Sequence, residues 1–225
     1  MQTLKIEMIH DVVCSWCHIG YHNISKALDR LSHRVSVDFH YLPFQLNPEL
    51  DPQGVDITEH LCQRNQWSLP EAMAYREDLV KKTKEVGVII DFSKRTRYYN
   101  TAMAHRLILA AGNLGIQRQM HEALLQAYHV EGENISDRAV LKKVAKSIGF
   151  AGEAVDQALL SDAVGRQLLD LSERVRRYQV GLVPAFIFNE NHLVRGSNST
   201  EFFEQLIRSD FLAEDSAGKP VEEAI

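Results

Sequence analysis

The pattern of apolar and polar positions divides the chain into a β-α-β opening, a long helical middle and an α-β-β-α close. Residues 4–9, Leu-Lys-Ile-Glu-Met-Ile, read as a strand. From Cys14 to about Leu31, Trp16, Ile19, Ile24, Ala27, Leu28 and Leu31 recur at mostly three- and four-residue steps, which predicts a helix. Val35, Val37, Phe39 and Tyr41 alternate with polar residues, which predicts a second strand. Pro43, Pro48, Pro52 and Gly54 break the pattern into a loop. Helical periodicity then runs through 58–66, 70–86, 100–111, 116–130, 137–148 and 153–160, with one more helix to about Tyr178. Gly87, Gly112, Gly132 and Gly149 punctuate it near the helix ends. Strand character returns only at 183–188 and 193–195, around the turn Asn189-Glu190-Asn191, before a last helix capped by Ser199 or Thr200. A β-α-β opening forms a parallel pair with a right-handed crossover. The prediction is therefore an α/β fold with a large all-helical insertion. Residues 1–50 and 165–213 form the sheet domain, 51–164 the insertion and 214–225 a flexible tail.

Composition narrows the function classes. A net charge of −5 without a long basic run argues against nucleic acid and anionic membrane as partners. The N-terminal residues carry no apolar signal region, and no stretch approaches the ~20 apolar residues of a membrane span. A cytoplasmic location is expected, where ordinary structural disulfides are reduced. Against that background, two of the three cysteines form Cys14-Ser15-Trp16-Cys17, between the first strand and the first helix. At a helix start, Cys14 meets unpaired backbone N–H groups and the positive end of the helix dipole, which favour a thiolate. Cys17 lies on the same face, within disulfide reach. An activated thiol beside a second thiol is what dithiol–disulfide exchange requires.

Five stretches carry a wider resemblance: Asp11–Gly20 (DVVCSWCHIG), Pro43–Pro48 (PFQLNP), Asn100–Leu107 (NTAMAHRL), Ala127-Tyr128 with Glu131-Gly132, and Gly181–Phe186 (GLVPAF). In this order they resemble the DsbA-like thioredoxin superfamily, most closely its FrnE-like branch of bacterial cytosolic proteins. The resemblance implies a thioredoxin fold with an inserted helical domain. It further implies that Cys14 attacks, that Cys17 resolves, and that a cis Val183–Pro184 bond beside the dithiol presents the Val183 backbone to a peptide substrate. It requires no dissociable cofactor, with glutathione as a redox partner, and leaves homodimerisation open. The expected partners are disulfide- or dithiol-containing proteins or small molecules. Ser15 stands where the family commonly has Pro, and His18 where it has Tyr; Pro lacks an N–H, and Ser15 restores a donor within reach of a sulfur.

Other residues have competing readings. His18, four residues after Cys14, either points its imidazole back toward the reactive sulfur or is a solvated surface group. Trp16 forms an apolar lip beside the dithiol or simply packs. Asp11 orients the loop, relays a proton for Cys17, or serves turn chemistry. Cys62 reads as a small buried apolar residue, and His105 and Arg106 as structural or surface groups. A metal site built from Cys14, Cys17, His18 and His22 fails on distance, since Cys14 and His22 would stand about 12 Å apart along a helix. Two further functions share the pattern: a glutathione-dependent isomerase or transferase of the 2-hydroxychromene-2-carboxylate isomerase type, and a chaperone-like module that binds without catalysis.

Overall fold

The computed structural model describes residues 2–150 and 152–212; the tail expected at 214–225 lies outside them. The central sheet has the order β2-β1-β5-β6. β1 (Gln2–His10) runs parallel to β2 (Val35–Pro43) and antiparallel to β5 (Ala185–Phe188), which forms a hairpin with β6 (His192–Arg195). The strand expected from 183 begins at Ala185, because Pro184 has no N–H to give a ladder.

Alternation along β1 separates two cores. Leu4, Ile6 and Met8 face α1 (Ser15–Leu31) and the last helix, and join the main core with Ile24, Phe186 and Phe203. Ile9 faces the other way, onto Leu42, Val175, Val180 and Ile187. Glu7 points to that second side, only 3% exposed. Arg174 of the long helix Asp162–Arg177 grips it with two hydrogen bonds, one of 2.6 Å, so a bidentate pair docks that helix onto the sheet.

Between β2 and β5 come the helices Ile57–Asn65 (α2), Leu69–Val86 (α3), Ala102–Gly112 (α4), Gln117–Leu125 (α5), Arg138–Ser147 (α6), Glu153–Leu160 (α7) and Asp162–Arg177 (α8). The insertion also holds a two-stranded antiparallel ribbon, Val55–Asp56 (β3) with Arg97–Tyr98 (β4), that the sequence pattern does not announce. Gly54 makes it fit: its φ is +66°, and a Cβ there would come within 2.2 Å of the Tyr98 carbonyl oxygen. α5 runs on into a π turn at Gln126–Val130, which buries Tyr128 and brings His129 against Val12 in the loop before Cys14. A final helix, Thr200–Leu206 (α9), packs on α1 and ends in a second π turn. No helix among the described residues is long and apolar enough to cross a membrane.

Candidate active site

Cys14 is the N-cap of α1, with extended backbone (φ −80°, ψ 114°). Its amide donates to the Asp11 carbonyl at 3.1 Å, closing the turn that brings the chain off β1. The Cys17 amide donates to the Cys14 sulfur at 3.4 Å, the bond that a capping side chain ordinarily receives. Both thiols are free. Cys14 is 8% exposed and Cys17 only 1%, so an incoming disulfide meets Cys14 first.

The two thiols are driven apart in acidity. The thiol of Cys17, donating to the Cys14 sulfur, holds Cys14 below the ordinary cysteine value; the amides of Cys17 and Trp16 add to this while burial opposes it. Burial raises Cys17 well above the ordinary value, and its bond to Cys14 and the nearby charges of Cys14 and Asp11 raise it further. Cys14 is thus favoured as thiolate and Cys17 as the protonated thiol.

The Val183–Pro184 peptide bond is cis, and the Val183 carbonyl oxygen lies 3.8 Å from the Cys14 sulfur. Gly20, on α1, lets Pro184 approach: a Cβ at Gly20 would meet Pro184 Cγ at 2.9 Å and Phe186 Cζ at 3.4 Å. Gly20→Ala is therefore expected to lower stability by about 1–3 kcal/mol, the usual cost of overpacking, and to slow attack by Cys14. Urea melts and the rate of thiolate release from an aromatic disulfide would read both, and unchanged values would show that the approach is not tight.

Asp11 is 1% exposed, with one carboxylate oxygen accepting from the Leu46 amide at 2.7 Å and the other 3.6 Å from His105 Nε2. The carboxylate thus ties the loop after β1 to the one after β2, and its charge bears on Cys17. Trp16 Nε1 donates to the Tyr75 hydroxyl at 3.0 Å, tying the dithiol helix to α3.

Three expectations are corrected. His18 is neither a solvated surface group nor a cation beside the thiolate: burial lowers it to about 4, and its ring packs 4.8 Å from that of His129. The Ser15 hydroxyl reaches no sulfur; it is buried without a hydrogen-bond partner among the described residues. Cys62 is half-buried rather than part of a core, on a helix with no buried residue.

Two further features emerge only from the fold. Arg95 is only 5% exposed, and Nη2 donates to the Val13 carbonyl at 3.1 Å. Its guanidinium lies over the rings of Tyr128 (5.2 Å) and Tyr98 (5.5 Å), with no carboxylate in an ion pair among the described residues. A buried cation fixed to the residue before Cys14 favours its thiolate. The second feature is histidine. His10, His105, His121 and His129 are each at most 1% exposed, and His129 Nε2 donates to the Val12 carbonyl at 2.8 Å. Of the two readings of His105, structural or surface, burial fits the structural one: its Nε2 donates to the Phe44 carbonyl at 3.1 Å. Among the described residues no three or more His, Cys, Asp or Glu side chains are placed to hold a metal ion.

Residues 5–208 match the model of the DSBA-like thioredoxin domain. Uncharacterized protein YwbO of Bacillus subtilis (strain 168) is 23% identical over 211 residues, covering 92% of this chain and 98% of its own. The crystal structure of a "probable DsbA oxidoreductase" from Streptomyces coelicolor superposes with a TM-score of 0.82 at 22% identity, over 91% of this chain and 88% of its own. The cytosolic disulfide reductase DsbM from Pseudomonas aeruginosa, in a structure with GSH, superposes at 0.60 and 18% identity, over 89% and 93% of the two chains. These structural likenesses show a shared fold.

Proposed function

The chain belongs to the DSBA-like thioredoxin domain family, and from that premise we propose that it is a cytoplasmic thiol–disulfide oxidoreductase working through Cys14 and Cys17. The observation that carries the reading is the division of labour within the dithiol. The Cys14 sulfur sits at a helix N-terminus and is favoured as thiolate, whereas Cys17 lies behind it, almost inaccessible and held protonated.

The Cys14 thiolate attacks a substrate disulfide R–S–S–R′, forming Cys14–S–S–R and expelling R′–S⁻, which takes a proton from solvent. Cys17 then gives up its proton and attacks the Cys14 sulfur, so that R–S⁻ leaves and the Cys14–Cys17 disulfide forms. Two electrons pass from the dithiol to the substrate, and the reverse sequence oxidises a substrate dithiol. A peptide substrate would lie along the Val183 backbone beside the 81%-exposed Leu182, which offers it an apolar contact. No dissociable cofactor is needed for this chemistry. The structure of DsbM with GSH supports glutathione as the small-molecule partner that restores one redox state.

Cys17→Ser tests the reading. It is expected to leave the first attack intact and to accumulate a mixed disulfide on Cys14, seen as a stable mass increase equal to one substrate thiol. If no adduct forms with protein or small-molecule disulfides, the proposal fails.

A further inference from the structure

Arg95 carries a buried charge whose counter-charge comes and goes with the chemistry. Its Nε is buried without a hydrogen-bond partner among the described residues. Burial opposes the cation, while Tyr128, Tyr98 and the Cys14 sulfur support it. Burial also holds both phenols above their ordinary value, so they stay neutral. In the reduced protein the Cys14 thiolate therefore supplies the negative charge. A mixed disulfide on Cys14 removes it, and the guanidinium is left buried without a counter-charge, a destabilising state.

Arg95 also lines a partly enclosed cavity of about 70 Å³, walled by α2, α3 and the segment from Phe92 to Tyr98. With about 30 Å³ for each water in the liquid, that volume suits one carboxylate-sized group. Arg76 of α3 and the hydroxyls of Thr58, Tyr75, Thr96 and Tyr98 belong to the same lining. Arg76 donates to the Phe92 carbonyl and lies 5.6 Å from the Phe92 ring, so its own fixed partners are neutral. Asp56, the acidic residue of the lining, caps α2: its carboxylate accepts from the amides of Thr58 at 2.8 Å and Glu59 at 3.0 Å. Two guanidinium groups against one committed carboxylate leave the cavity positive in balance. Its walls are also fastened to residues on both sides of Cys14. Arg95 Nη2 donates to the Val13 carbonyl at 3.1 Å, and the Tyr75 hydroxyl accepts from Trp16 Nε1 at 3.0 Å.

We propose that this cavity binds one small carboxylate, or an anion of similar size, through Arg95 and Arg76, and that its occupancy alternates with the thiolate at Cys14. The proposal rests on Cys14 as the nucleophile and adds a second ligand at the same cation. Two anions that draw on one guanidinium weaken each other, and the coupling is reciprocal. Formation of a mixed disulfide removes the thiolate and tightens the cavity; return of the thiolate releases the anion. The carboxylate has two sources. A free anion acts as a brake on attack by Cys14, whereas the acidic end of a small disulfide joined to Cys14 makes the cavity a recognition site. The net charge of −5 repels acidic disulfides from the protein as a whole, so a preference for them arises only from a local site.

The test measures the rate of adduct formation on Cys14 in Cys17→Ser, which stops at the mixed disulfide, by acid quench and mass spectrometry of the Cys14 peptide. The probes are dithiodipropionate and its neutral diamide, each rate being normalised to that with a free thiol. Ionic strength is fixed at pH 7 with acetate in one series and with a sulfonate too bulky for the cavity in the other. A free-anion site shows as saturable slowing of the diamide by acetate, about fivefold or more. A substrate site shows as dithiodipropionate outpacing the diamide by about fivefold or more in the sulfonate series. Either effect, lost in Arg95→Met and kept in part by Arg95→Lys, supports the site and identifies its source. Weaker support of the thiolate in Arg95→Met slows both probes alike and cancels from their ratio. Acetate without effect, together with equal normalised rates for the two probes, would overturn the proposal, as would either effect persisting unchanged in Arg95→Met. The comparisons without an Arg95 substitution suffice to overturn it if Arg95→Met does not fold. No adduct with either probe would refute the dithiol reading itself, and the coupling to Cys14 with it.

Discussion

Cys14→Ser is expected to abolish disulfide exchange, with turnover of an aromatic or glutathione-linked disulfide falling by about 10²-fold or more. The thiolate is the nucleophile, and a serine hydroxyl does not ionise near neutral pH. The remaining thiol cannot take over. Burial, which does not depend on Cys14, holds Cys17 above the ordinary cysteine value and disfavours its thiolate. It is also 1% exposed, which keeps a bulky disulfide from its sulfur. The loss should not come from unfolding. Position 14 is a helix N-cap whose side chain accepts the Cys17 amide, a role that serine fills well. Unchanged thermal stability with lost activity is thus the full expectation. Turnover within tenfold of wild type would refute the dithiol mechanism and favour a glutathione-dependent isomerase, whose chemistry needs no thiol on the protein.

Both ends of the sheet domain were legible in the sequence because their elements are long and periodic, and because a strand that leads through C-x-x-C into a helix has few other meanings. The β3–β4 ribbon was not, since two residues per strand leave no alternation to detect. Arg95 sits in a loop with no periodicity, and only the fold reveals that it touches Val13 and lies over two tyrosines. The histidines left a fainter trace. His10 continues the alternation of Leu4, Ile6 and Met8 and so occupies the next core-facing position of β1. His121 shares the buried stripe of α5 with Leu124 and Leu125. A histidine on an apolar face reads singly as a tolerated polar residue. What makes these four a group is the convergence of β1, α4, α5 and the π turn, which no local pattern encodes. The same holds for His18: its spacing from Cys14 is correct for a tuning residue, but partial burial lowers it to about 4 and disfavours the charged form.

These buried imidazoles also predict an acid-sensitive fold. Burial, reinforced by neighbouring positive or potentially positive groups, holds His10, His121 and His129 well below the ordinary histidine value and brings His18 to about 4. In the unfolded chain all four titrate near 6.5. Above that pH neither state binds these protons, and stability is at its full value. Below it the unfolded chain takes up protons that the folded protein refuses, so stability falls until the folded values are reached. Each imidazole contributes about 1.4 kcal/mol per pH unit, so four together give a slope of about 5 kcal/mol per unit just below pH 6. His22 and His60, lowered mainly by burial, add smaller contributions in the same direction, whereas the surface carboxylates Glu71, Asp91, Glu190, Glu201 and Glu204, lowered by hydrogen bonds or ion pairs, act at more acid pH. Urea melts at half-unit steps from pH 7.5 to 5 should show stability flat above pH 7 and collapsing below pH 6. His121→Phe should reduce the slope by about one proton, because phenylalanine fills the same buried position without titrating. Stability constant from pH 7 to 5 would mean that the imidazoles are charged or solvated in the folded protein.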